Sequence, residues 1–185
     1  MDKKSRLDKY KINEEFEHSI ARILELDPQG VILFSNSFPF CQSHLARIKS
    51  ILGDNKIKRI RWYPSLEKHV FLNLVSISDV CLDPFPFGGL ISTIDMFSCG
   101  RTIITLPGEK LYGRFTSGLY KVMGLTKIKN VIAQNIDEYI EKAILLANCS
   151  KLRESIENEI IDLLPNIFED KNTTDEWSTF LHNLA

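Results

Sequence analysis

DVCLDPFPFGGLISTIDMFSCGRTIITLPG, residues 79–108, carries three kinds of segment in a set order. An apolar run, Val80 to Leu82, enters a turn rich in proline and glycine. Ser92 and Thr93 then open a helix with Asp95 in its first turn. A second apolar run, Thr102 to Leu106, stops at Pro107-Gly108. The unit is therefore strand, loop, helix, strand. Gly88 and Gly89 permit close backbone approach, and the amides of Leu90, Ile91, Ser92 and Thr93 are expected to face an anion at the helix N-terminus. Asp95 is expected to accept hydrogen bonds from ribose hydroxyls, so the pattern predicts a nucleotide ligand. The plainer alternatives are an ordinary tight turn and an acid that merely suits the helix dipole.

Strands and helices alternate on either side of this unit. Asn13 caps a helix over 13–26, which Asp27-Pro28-Gln29-Gly30 stops. Val31 to Phe34 reads as a strand, about 42–52 as a helix ending at Gly53, 57–63 as a strand, and Glu67 to Ile77 as a helix. Beyond Gly108 come a helix from about Gly113 to Met123, a short strand at Lys129–Ala133, and an amphipathic helix from Asp137. The tail, 151–184, reads as two helices split near Pro165 and Asn172. Apolar strands alternating with helices predict an α/β fold, a Rossmann-like parallel sheet with helices on both faces. Such a lobe opens with a strand, yet residues 1–10 hold only Leu7 and Tyr10 as sizeable apolar groups. The first strand is expected to be missing or degenerate, and the chain to be a fragment or a piece of a split protein. An edge left open in this way predicts strand pairing or a homodimer. The expected division is a nucleotide-binding lobe over 1–150 and a helical tail over 151–185 that packs on it.

Composition narrows the function further. The 185 residues carry 23 basic and 24 acidic side chains and a net charge of −1, so no field draws the chain to nucleic acid or to a membrane surface. No apolar run reaches the ~18 residues of a membrane span, and the charged N-terminus lacks the pattern of a secretory signal. Cys41, Cys81, Cys99 and Cys149 form no CxxC pair, which leaves no zinc spacing and points to a reducing, cytoplasmic setting. GxGxxG and Walker loops are both absent, which argues against an unrelated dinucleotide- or ATP-binding lobe.

Several of these segments together resemble a glycosyltransferase family that holds the protein O-GlcNAc transferases and the bacterial adhesin N-glucosyltransferases. PFPFG followed by IDM (Pro84–Gly88, Ile94–Met96) looks closest to the bacterial branch. Tyr10-Lys11-Ile12 resembles the family's YKI, Glu67-Lys68-His69-Val70 its E-x-H-V, Thr105–Glu109 with Arg114 its TLPGE…R, and Asn135–Ala147 its N-x-x-E-Y helix. The likeness covers roughly residues 10–165 in the family's order. It implies the C-terminal lobe of a two-lobed, GT-B glycosyltransferase: inverting, independent of metal, with no cofactor beyond a UDP-sugar donor, passing a glucose or GlcNAc unit to a protein side chain.

The resemblance assigns roles residue by residue. Lys11 and His69 would act on the departing diphosphate. Gly88, Gly89, Leu90, Ile91, Ser92, Thr93 and Asp95 would bind the donor. Arg114 reads either as part of the site or as one half of an internal ion pair, and Phe85 and Phe87 either flank the ligand or pack into the lobe. For Lys11 and His69 the bland alternatives are a solvated lysine and a helix-surface histidine. The chain departs from the family where Leu90-Ile91-Ser92 replaces polar residues, which removes side-chain donors to phosphate and leaves backbone ones. Leu66 stands where the O-GlcNAc branch has a lysine. The family's N-terminal lobe has no counterpart in this sequence, so the implied partners are a UDP-sugar and a protein acceptor or a separate N-terminal lobe chain. The alternative to an enzyme is a truncated, non-catalytic lobe that binds nucleotide or serves as a protein-interaction module.

Overall fold

The computed structural model describes residues 12–35, 42–63, 66–168 and 171–184. Lys11 and the expected site of the missing first strand lie outside these residues. Helix α1, Glu14–Leu26, begins as expected: the Asn13 side chain accepts the Phe16 amide at 2.8 Å, and Glu14, Glu15 and Glu17 complement the dipole. It ends at Asp27, whose carboxylate accepts the amides of Gln29 and Gly30 and turns the chain. Strand β1, Ile32–Ser35, pairs in parallel with β2, Ile60–Tyr63, setting Phe34 opposite Trp62 with their rings stacked 4.4 Å apart.

Between them, α2 runs over Gln42–Lys56. Gly53, at φ 74 and ψ 171, breaks the helical backbone where the helix is expected to end, and a further turn follows across the kink. The strand expected at 57–63 is half as long, because Ile57–Arg59 forms a 3-10 turn. Arg59 explains the change. Its guanidinium reaches back to the carbonyls of Leu24, Asp27 and Gly30, tying the turn to the end of α1.

Helix α3, Lys68–Ser76, leads to β3, Cys81–Leu82, then α4, Ile91–Ser98, and β4, Ile103–Ile104. β3 and β4 pair in parallel with Cys81 opposite Ile103. A 3-10 turn at Leu111–Gly113 and α5, Phe115–Met123, follow; Gly124, at φ 78, caps α5 in the left-handed conformation. The strand expected at Lys129–Ala133 is a 3-10 turn, Ile128–Asn130, and a single parallel bridge from Ile132 to Thr105. Helix α6, Ile136–Asn148, is capped by the Asn135 side chain on the Glu138 amide. The tail holds three helices rather than two: α7 (Ser150–Leu163), α8 (Pro165–Phe168) and α9 (Lys171–His182). Pro165 opens α8, a position where its missing N–H costs nothing.

The fold is thus α/β with short parallel strands, as the sequence predicts. Among the described residues the strands form two pairs rather than one continuous ladder. Ile103 and Ile104 are both fully buried. Neighbouring side chains of a strand point to opposite faces, so β4 is covered on both. Helix α1 packs on α2 and α6, α3 packs on α4, and α7 touches both α4 and α6. The core joins Phe16, Ile20 and Leu24 of α1 to Phe97, Tyr139 and Leu146, and α7 adds Ile156 and Ile160. Tyr120 completes β4. Its hydroxyl accepts the Ile103 amide at 2.8 Å and donates to the Ile103 carbonyl at 2.9 Å, and burial pushes its phenol far above its usual range. The described side chains of α9 are all exposed, Trp177 and Phe180 included. Among the described residues no helix is long and apolar enough to cross a membrane.

Candidate functional site

The loop after β3 leaves the C-terminal end of a parallel strand, where α/β sheets bind ligands. Asp83 organises it. Its buried carboxylate accepts the Gly89 amide at 2.7 Å and the Thr105 hydroxyl at 2.8 Å, while the Tyr139 hydroxyl donates to its carbonyl at 3.0 Å. The chain passes through a cis Phe85-Pro86 bond. The Gly88 amide then donates to the Tyr112 carbonyl at 3.0 Å, and Phe87 stacks on Tyr112 with ring centroids 4.7 Å apart.

Space is tight at both glycines of this turn. A Cβ on Gly88 would lie 3.0 Å from the Asp83 carboxylate, and one on Gly89 would lie 2.6 Å from the Ser92 hydroxyl oxygen. Both glycines are buried, and they deliver the chain to the N-terminus of α4. The first amides of a helix find no acceptor within it, and Leu90 makes no side-chain cap. The amides of Ile91, Ser92 and Thr93 are therefore left without an acceptor inside the helix.

The expected site residues gather only in part. Gly88, Gly89, Leu90, Ile91, Ser92, Thr93 and Asp95 are contiguous around the start of α4. Asp95 is the fifth residue of the helix, not a member of its first turn, because α4 begins at Ile91. Its carboxylate is held 3.0 Å from the Lys68 ammonium. The Thr93 hydroxyl is buried against the Thr116 hydroxyl at 3.0 Å. Leu90 and Ile91 are exposed.

His69 sits on the first turn of α3, largely exposed, with Nδ1 3.4 Å from Glu67. The Lys68–Asp95 ion pair brings that turn against α4. Lys11 is outside the described residues. Phe85 is buried in the lobe, edge-on to Phe16 at 5.5 Å and to Tyr139 at 5.1 Å. Arg114 has no carboxylate partner among the described residues. Its backbone instead starts α5, its carbonyl accepting the Gly118 amide at 2.9 Å.

Two contributors escaped the sequence reading. Asp83, in the run Leu82-Asp83-Pro84, had a visible signal in an acid at a strand end before proline. Gly113 had none: a Cβ there would lie 2.5 Å from the Pro86 carbonyl oxygen, a contact between turns far apart in the chain.

Beside this turn lies an open cleft of about 510 Å³ walled by Phe85, Pro86, Leu106–Gly108 and Gln134–Asp137, with Glu15 at its rim. Its size suits a small ligand, for which pockets run to roughly 300–1,000 Å³. Its walls do not include residues 88–95 or His69. The acids Glu15 and Asp137 make it a poor seat for phosphate and a suitable one for hydroxyl groups. A depression of similar volume on α9 is formed by one face of that helix alone and encloses nothing.

A model of glycosyl transferase family 41 matches residues 7–173 of the chain. The chain belongs to glycosyl transferase family 41. It is 32% identical over 115 residues to a UDP-glucose:protein N-beta-glucosyltransferase of Actinobacillus pleuropneumoniae, a match over 62% of this chain and 18% of that protein. It is also 32% identical over 143 residues to a probable UDP-N-acetylglucosamine–peptide N-acetylglucosaminyltransferase SPINDLY of Solanum lycopersicum, over 74% of this chain and 15% of that one. Among solved structures, a mutant O-GlcNAc transferase of Thermobaculum terrenum shares the fold with a TM-score of 0.80 at 21% identity, over 94% of this chain and 34% of that one. The family 41 chain described here thus spans less than a fifth of the curated relatives it matches.

Proposed function

We propose that this family 41 chain is the UDP-sugar-binding, C-terminal lobe of an inverting, metal-independent glycosyltransferase that passes glucose or GlcNAc to a protein side chain. The observation that carries the reading is the Asp83-braced Gly88-Gly89 turn, which presents the N-terminus of α4 at the C-terminal end of the parallel strands. A diphosphate there meets the amides of Ile91, Ser92 and Thr93 and the positive end of the helix dipole. Asp95, one turn further in, accepts from the ribose hydroxyls.

In the reaction an acceptor atom bonds to the sugar's C1 from the face opposite the diphosphate. The bond from C1 to the diphosphate oxygen breaks, and its electron pair leaves on that oxygen. The lobe stabilises the charge that develops there, through the α4 amides, Lys11 and His69. The other lobe and the acceptor-activating base come from another segment or a separate chain. The free thiols of Cys81, Cys99 and Cys149 suit a reducing compartment.

A second reading, a non-catalytic lobe that binds nucleotide weakly or docks a protein, is favoured by the exposed Leu90 and Ile91, which put apolar surface where phosphate donors would serve. Calorimetric titration of UDP into the chain, its Asp95→Ala variant and its Lys11→Ala variant separates them. The donor-lobe reading expects saturable binding that each substitution weakens at least tenfold. Absence of binding by the unaltered chain overturns it.

A further inference from the structure

We infer that Lys68 is a diphosphate-binding residue of this site, an assignment that rests on the nucleotide reading above. Lys68 is the first residue of α3. A cation there opposes the helix dipole, so local helix preference does not account for it. The neighbouring acid on its own segment, Glu67, faces His69 at 3.4 Å, while the Lys68 ammonium crosses to α4 and lies 3.0 Å from Asp95 Oδ1.

The two partners differ in freedom. The Asp95 side chain is 17% exposed and the Lys68 side chain 71%. The carboxylate is thus the fixed member and the ammonium the one able to re-aim. With 1.5 Å of rise per residue, Asp95 stands about 6 Å along α4 from Ile91. A lysine arm that reaches Asp95 therefore needs only one swing of its stem to reach an anion on the first turn.

Charge balance calls for such a group. A helix N-terminus supplies about half a unit of positive charge, and Lys11 in the reading above one more, against a diphosphate carrying at least two negative ones. The side chains of Leu90 and Ile91 add no donor, and the Thr93 hydroxyl is committed to Thr116. Binding ribose at Asp95 releases the ammonium, and the same event brings the diphosphate within its reach.

The test titrates UDP and uridine by calorimetry into the chain and into its Lys68→Met and Lys68→Arg variants. The expected result is a tenfold or greater loss of UDP affinity in Lys68→Met, uridine affinity unchanged or raised, and UDP affinity restored to within threefold in Lys68→Arg. The UDP affinity of Lys68→Met should also fall less steeply with added salt. Equal losses for UDP and uridine would make Lys68 a brace for Asp95 and overturn the assignment, as would unchanged UDP binding in Lys68→Met. Those outcomes leave the nucleotide reading intact, whereas failure of the unaltered chain to bind UDP removes that reading and Lys68's role with it.

Discussion

The Gly89 amide donates to the Asp83 carboxylate at 2.7 Å, and both residues are buried. The bond spans the turn between β3 and α4 and fixes the direction in which the helix leaves the sheet. Thr105, beyond β4, donates to the same carboxylate, so one side chain ties two strand ends together.

Asp83→Ala strands the Gly89 amide and the Thr105 hydroxyl in a buried place, which should cost about 2–4 kcal/mol of stability. Asp83→Asn keeps an acceptor for one of them and should cost less than half as much. Urea unfolding of the two variants measures the difference. Equal losses would mean that the negative charge, rather than the bonding geometry, holds the turn.

Two glycines should respond with opposite sign. A methyl group on Gly113 meets the Pro86 carbonyl at 2.5 Å, a backbone atom that cannot step aside, and Gly113→Ala should destabilise by about 1–3 kcal/mol. Gly118 lies inside α5, and a methyl group added there would meet nothing within 4 Å, so Gly118→Ala should stabilise by about 0.5–1 kcal/mol. Thermal melts of both variants check the signs.

Cys81 should be inert in the folded chain. Burial pushes its thiol up to about 12, although the Arg101 guanidinium pulls the other way. At pH 8 almost no thiolate is present, whereas Cys99 and Cys149 are partly exposed. Iodoacetamide followed by peptide mass spectrometry should label Cys99 and Cys149 first and Cys81 only in urea. Early labelling of Cys81 would show that β3 opens in the native state.

Glu159 should contribute an acid-sensitive increment of stability. Partial burial pushes its carboxyl up, but the hydroxyl and amide of Thr126 and the Lys127 ammonium outweigh it and hold the pKa below 4.5. A carboxyl whose folded pKa is depressed stabilises the fold above its unfolded pKa and loses that contribution as pH falls through the folded value. Stability should therefore decline below about pH 4.5, and Glu159→Gln should flatten that decline in a series of urea unfolding curves. An unchanged slope would mean that other carboxylates set the acid limit.

Much of this was legible in the chain. Asn13 announced its helix because an N-cap acts on an amide three residues away, and Gly88-Gly89 announced the turn because glycine gives the backbone freedom for a close approach. The errors fell where a distant partner intervened. Arg59 drew part of β2 into a 3-10 turn by bonding the end of α1. Thr105 took up Val131 and Ala133 through one bridge instead of a full strand. Between the two places the sequence left open to Phe85, the contacts with Phe16 and Tyr139 decided for the core.

The alternating order of strands and helices, and the place where an anion would meet a helix, followed from residues close together in the chain. Caps, turns and apolar periodicity act over that short range, so no folded structure was needed to read them. The assembly of the site was a matter for tertiary structure alone. Asp83 meeting Thr105, Pro86 pressing on Gly113 and Lys68 crossing to Asp95 each join segments that come near one another only when β3 and β4 pair and the helices close over them. Such contacts depend on packing, in which each side chain's partner is chosen by what the rest of the chain brings within a few ångströms of it.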